Sequence, residues 1–103
     1  MSNTDFITLL KSTETELRRL GVEHLALFGS RARGDNRDES DIDVLVDLAP
    51  GKTAEGRVAS GRAALAASGT LSQITGLDVS LLDRSRLASP FAERIRDDII
   101  EIF

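Results

Sequence analysis

The sequence predicts an α/β (α+β) protein, a small sheet flanked by helices. Three observations carry this. Apolar runs with strand character fall at residues 22–28, 41–48 and 77–82, the last two alternating with a period of two. Apolar residues recurring at three- and four-residue steps lie before and after them, at residues 6–20 and 91–103, which is the helical period. The resulting order, helix, strand, turn, strand, helix, strand, helix, stacks helices against a sheet. With 103 residues the chain suits one domain, residues 1–103, with a modest core.

Taken in order, Asn3-Thr4-Asp5 can cap a first helix running to Leu20. Phe6, Leu9, Leu10, Leu17 and Leu20 form its apolar stripe, and Gly21 ends it. The first strand follows at Val22–Phe28. His24 is the only histidine, so a structural or surface role suits it better than metal ligation. Residues 35–39 contain nothing apolar and read as a solvated loop. The second strand, 41–48, stops at Ala49-Pro50-Gly51, and Lys52 is a solvated loop residue. An Ala-rich helix is expected over 53–68, with Val58, Ala63, Leu65 and Ala66 towards the core and Gly69-Thr70 at its end. Residues 71–74 are ambiguous. Thr75-Gly76 turns the chain into the third strand. Ser89-Pro90 opens a last helix, with Phe91, Ile95, Ile99 and Phe103 as a core stripe at four-residue steps.

Composition narrows the function classes. Thirteen basic and 17 acidic residues leave a net charge of −4, which argues against nonspecific nucleic-acid binding. With no Tyr or Trp and four Phe, the chain lacks the stacking platforms of an RNA reader. No cysteine is present, so there is neither a disulfide framework nor a thiolate metal site. The N-terminus lacks the basic and apolar regions of a signal peptide, and no apolar run is long enough to span a bilayer. The expected location is cytoplasmic, with no membrane contact.

The chemistry concentrates in residues 27–46. Asp41 and Asp43 stand one residue apart on an expected strand. Their carboxylates therefore share one face, while Ile42, Val44 and Val46 point into a core. Two such carboxylates repel unless a cation sits between them, and a hard divalent ion such as Mg²⁺ is the natural occupant. Gly29 has no Cβ and admits a ligand close to the backbone. Ser30 offers a hydroxyl, and the turn at 31–34 offers N–H groups to an anion. A triphosphate fits between this turn and the two aspartates. The same residues also suit a hairpin with two solvated aspartates on an edge strand. Arg31, Arg33 and Arg37 flank the site; each suits a phosphate, and each could instead balance nearby carboxylates. Arg33 is taken as the phosphate-binding one. Asp47 falls on the same face but about 13 Å beyond Asp43, and is expected to stand apart. Asp78 lies opposite Leu77, Val79 and Leu81 on the third strand, either as a third carboxylate or as an exposed strand aspartate. Asp83, in the following turn, competes with it.

Gly29-Ser30, ten residues, then Asp41-x-Asp43 resembles the signature of the DNA polymerase β-like nucleotidyltransferase superfamily. The fuller string GSRARGDNRDESDIDVLV resembles the minimal nucleotidyltransferase (MNT) proteins of prokaryotes. These are small single domains, many of them antitoxins encoded beside a HEPN-domain ribonuclease toxin. The resemblance implies the polymerase β-like nucleotidyltransferase fold with a small mixed sheet. It favours Asp78 as the third acidic residue, since MNT-like domains carry that residue in a short apolar-Asp-apolar context. It implies an enzyme that moves AMP from ATP to a hydroxyl, with Asp41, Asp43 and Asp78 as catalytic residues and ligands of two Mg²⁺ ions. Gly29, Ser30 and Arg33 would bind the nucleotide. The partner would be a HEPN toxin held in a hetero-oligomer, and the acceptor one of its tyrosines. This chain has no tyrosine and cannot modify itself on one. Two rival readings use the same residues: a non-catalytic antitoxin that neutralises by contact, and a small-molecule nucleotidyltransferase acting on an antibiotic. The latter enzymes usually carry an added helical domain that this chain lacks.

Overall fold

A computed structural model describes residues 2–49 and 54–103. Its centre is a four-stranded mixed sheet in the order β3-β2-β1-β4, where β1 is Val22–Phe28, β2 Ile42–Leu48, β3 Val79–Asp83 and β4 Ile100–Glu101. β1 runs antiparallel to β2 and β4, and β2 runs parallel to β3. The parallel pair requires a crossover, supplied by the helix α4, Ala54–Thr75. Helices α1 (Asn3–Lys11) and α2 (Glu14–Leu20) precede the sheet, α3 (Ser30–Arg33) links β1 to β2, and α5 (Ser89–Ile95) follows β3.

Alternation along the strands builds two apolar layers. Leu25 and Leu27 of β1 and Ile42, Val44 and Val46 of β2 pack with Phe6, Leu10, Leu17, Ala67 and Leu71 of α1, α2 and α4. Ala26, Phe28 and Leu45 face the other way and pack with Ile95. Phe91 meets Phe28 edge-on, ring centres 6.0 Å apart.

Five sequence expectations change. The first helix is two. The buried hydroxyl of Thr13 donates to the Leu10 carbonyl at 2.6 Å and the Thr13 N–H donates to the same oxygen at 3.1 Å, so local bonds replace the helical ladder there. The Ala-rich helix runs on to Thr75 and absorbs residues 71–74, because Leu71 is fully buried against the sheet. Gly76, at φ +71°, ends it instead of Gly69. The apolar face of that helix is also set differently. Leu65 is 77 % exposed and Ala66 is exposed, while Ala67 and Leu71 are buried. The third strand begins at Val79, so Asp78 stands just before it.

The fifth change is a strand that the helical period conceals. The last helix stops at Ile95, a 3₁₀ turn covers Arg96–Asp98, and β4 then pairs with β1. Ile102 is buried in the first layer while Ile99 packs in the second, so the four-residue stripe to Phe103 breaks after Ile99. β4 gives the backbone of β1 partners on its second edge: the Leu25 N–H donates to the Phe103 carbonyl, and the Ile102 N–H donates to the Leu25 carbonyl. The expected stop at Pro50-Gly51, the loop position of Lys52, the helix start at Thr53 and the side chain of Val58 lie outside the described residues.

β4 is tied to the far edge of the sheet by charge. The Arg84 guanidinium bonds both Glu101 carboxylate oxygens, at 2.8 and 3.2 Å, and stands 3.3 Å from Asp47. The bond from Arg84 holds the Glu101 carboxyl below its ordinary value of 4.5, against a smaller opposing effect of burial. A depressed carboxyl stabilises the fold above the unfolded value and ceases to do so as pH falls through the folded one. Glu101→Gln should therefore cost about 0.5–1 kcal/mol at pH 7, the range of a solvent-screened pair. Thermal unfolding of both proteins should converge well below pH 4.5; a gap that persists in acid would show that the charge is not its cause.

Candidate active site

The site forms where β1 ends, α3 begins and β2 and β3 start. Phe28, the last residue of β1, is opposite Asp43 in the antiparallel register. Gly29 follows at φ 76°, ψ −156°, a backbone state essentially confined to glycine. A Cβ on Gly29 would strike the Asp43 carboxylate oxygen and stand 3.1 Å from its Cγ. The bare glycine thus lets the Asp43 carboxylate lie directly against the first turn of α3.

Within that turn the Gly29 carbonyl accepts from the N–H groups of Ala32 and Arg33, both at 3.1 Å. The Ser30 carbonyl accepts from Gly34 at 2.8 Å and Asp35 at 3.1 Å. The N–H groups of Ser30 and Arg31 precede the first of these bonds and stand at the open end of the turn. Ser30 is half-buried. The serine hydroxyl and the turn of N–H groups are therefore on the same short segment, as the sequence predicts.

Asp41 is exposed and Asp43 is partly buried. Burial, and then the neighbouring charge of Asp41, push the Asp43 carboxyl above its ordinary value of 3.8, while Arg33 pulls the other way. Burial is the larger cause, and the like charge of Asp41, one residue before the strand begins, adds to it. The parallel register pairs Ile42 with Val79 and Asp43 with Ser80, and the Ile42 N–H donates to the Asp78 carbonyl at 2.9 Å. Asp78 is thus beside Asp41 where the two strands begin, and its side chain is exposed. Backbone pairing brings Asp41, Asp43 and Asp78 into one neighbourhood. Among the described residues, however, no three acidic, His or Cys side chains are gathered into a set that could hold an ion. The donors available are all carboxylate oxygens, the set that hard divalent ions take.

The rival acids are used elsewhere. Asp83 sits opposite Val46 and accepts from the Ser85 N–H at 3.0 Å, capping the 3₁₀ turn. Asp47 lies opposite His24 and beside Arg84, away from the pair as expected.

The arginines divide. Arg33 is exposed and pairs with Asp35 and Asp98, each at 3.1 Å. Arg31, grouped with it in the sequence, is only 8 % exposed and turns to the opposite side, against Phe6. Residues two apart on a helical turn point in different directions, but the spacing alone does not say which of the two is buried.

The family described as "Nucleotidyltransferase domain" matches residues 10–102. The chain is 34 % identical, over 79 % of its length and 77 % of the relative's, to a protein of Methanocaldococcus jannaschii provisionally named a protein adenylyltransferase. It is 29 % identical to the protein adenylyltransferase MntA of Thermococcus cleftensis, covering 92 % of this chain and 90 % of that one. It superposes with a TM-score of 0.61 on a solved structure of the tri-AMPylated Shewanella oneidensis HEPN toxin in complex with MNT antitoxin, at 18 % identity, covering 94 % of this chain and 71 % of that one.

Proposed function

Because the chain belongs to the nucleotidyltransferase domain family, we propose that it is a protein adenylyltransferase that moves AMP from ATP to a tyrosine of a partner HEPN toxin and so acts as its antitoxin. The observation that carries this reading is the close approach of Gly29 to the Asp43 carboxylate, which sets the first turn of α3 beside the carboxylates. The name of the Thermococcus relative supports the reaction, and the Shewanella complex supports the partner.

In this reading the Ser30 hydroxyl and the first N–H groups of α3 take the β- and γ-phosphates. Arg33 exchanges Asp35 or Asp98 for a phosphate oxygen, since all three are anions presented to one exposed guanidinium. The acceptor oxygen attacks the α-phosphorus, the bond to the β-phosphate oxygen breaks, and pyrophosphate leaves. Asp78 takes the acceptor proton. Asp41, Asp43 and Asp78 would hold two Mg²⁺ ions, which supply charge neutralisation at the attacking and leaving oxygens. The chain's own contribution is positioning and electrostatics, which few residues suffice to provide.

A non-catalytic antitoxin is the second reading, which the exposed side chains of Asp41 and Asp78 also suit. Expressing the chain with its partner separates the two. Replacing both Asp41 and Asp43 with Asn should abolish neutralisation of the toxin in cells. Growth rescued as well by this double variant as by the wild type would establish masking by contact.

No helix among the described residues is long and apolar enough to cross a membrane.

A further inference from the structure

We infer that Arg31 is a positioning residue for the carboxylate pair. This rests on the reading of Asp41 and Asp43 as metal-holding groups. Arg31 leaves the first turn of α3 and inserts its guanidinium beneath the connection to β2. Its Nε donates to the Ser40 carbonyl at 3.1 Å, and one terminal nitrogen donates to the carbonyls of Ser40 at 2.9 Å and Asp38 at 3.1 Å. A longer contact of 3.4 Å reaches the Arg37 carbonyl. The flat of the guanidinium lies 4.9 Å from the centre of the Phe6 ring on α1. One buried side chain therefore ties the phosphate turn, the connecting loop and the first helix together.

Little else holds that loop. Arg37, Asp38 and Glu39 are exposed. A cavity of about 350 Å³, lined in part by Phe6, Arg31, Asn36, Asp38 and Leu77, lies alongside, so apolar packing does not support it. Its own bonds are local: from the Arg37 N–H to the Ser40 hydroxyl at 2.8 Å, and to the Arg37 carbonyl from the Ser40 N–H at 3.1 Å and the Asn36 side-chain amide at 3.3 Å.

The location of these bonds gives them their consequence. Ser40 immediately precedes Asp41, which lies outside β2 and lacks the ladder that fixes Asp43 between Phe28 and Ser80. Arg31 is thus the tether of Asp41, at one residue's remove, to the same turn that Gly29 sets against Asp43. A lysine cannot substitute: its point charge lacks the planar fork that reaches several carbonyls and stacks on a ring.

The test uses the whole chain with Mn²⁺ as the probe and a non-hydrolysable ATP analogue, read by electron paramagnetic resonance, alongside thermal unfolding. Arg31→Lys should unfold cooperatively and bind Mn²⁺ about 10–100-fold more weakly than wild type, the usual consequence of losing a group that orients a metal ligand. With the partner present, the Mg²⁺ concentration for half-maximal transfer should rise in the same proportion. A purely structural role would lower the unfolding temperature and leave both metal midpoints unmoved, which would overturn the inference. Should Arg31→Lys fail to fold, Phe6→Leu, which removes the ring and leaves the guanidinium donors, should weaken Mn²⁺ binding about threefold, the effect of one modest contact; unchanged binding overturns the inference. Wild type that binds no Mn²⁺ at all would remove the metal reading itself and this inference with it, a result distinct from wild-type binding matched by the variants.

Discussion

Gly29→Ala should reduce nucleotidyl transfer by at least about 100-fold, the cost of misplacing a reacting group by about 1 Å. Two effects combine. The backbone at φ 76°, ψ −156° costs any residue with a Cβ about 1–3 kcal/mol. The added methyl also clashes with the Asp43 carboxylate oxygen, so Asp43 must turn away from the first turn of α3. Gly34→Ala separates the two effects. Gly34 also has positive φ, +83°, but nothing lies within 4 Å of its Cβ position. It should lose stability of similar order and keep most of its transfer rate. Equal losses of transfer in the two variants would mean that backbone strain, and not the carboxylate, explains the glycine.

Asp43→Asn should be more damaging still. Removing a preorganised charge at a transfer site costs about 10²–10³-fold, and under the proposed reading, in which this carboxylate would also hold a metal, the loss stands at or beyond the upper end. Stability should move the other way. At neutral pH the Asp43 carboxylate is partly buried beside a like charge, and asparagine removes that repulsion while keeping the shape. A folded protein that gains stability as it loses transfer has given up a functional group, the usual trade-off at a working site. If Asp43→Asn instead unfolds at lower temperature than wild type, the aspartate is structural and the site lies elsewhere.

The parts of this arrangement that are legible in the sequence are the local ones. The nearness of Asp41 and Asp43 follows from the two-residue period, although β2 itself begins at Ile42 and leaves Asp41 just outside it, and Gly29-Ser30 before a short turn follows from what a missing Cβ allows. Asp78 can be placed near a strand start but not beside Asp41, because parallel register depends on how far α4 carries the chain. The end of that helix is not a local property either. Gly69 and Thr70 look like a stop, yet burial of Leu71 outweighs the roughly 1 kcal/mol that a helical glycine costs. β4 is hidden for a related reason. Phe91, Ile95 and Ile99 fit a helical stripe, and the change of period after Ile99 leaves only a two-residue strand, Ile100–Glu101. Arg31 shows the limit most clearly. Three arginines within seven residues look alike in sequence, and what holds Arg31 apart is Phe6, which α1 delivers from outside the motif.

The most direct test of the account is transfer from ATP labelled on its α-phosphate, with Mg²⁺ and the proposed HEPN partner. The account predicts label on the partner protein with wild type, and none with Asp41→Asn or Asp78→Asn. A partner that stays unlabelled while bound and inhibited by the wild-type chain would contradict it.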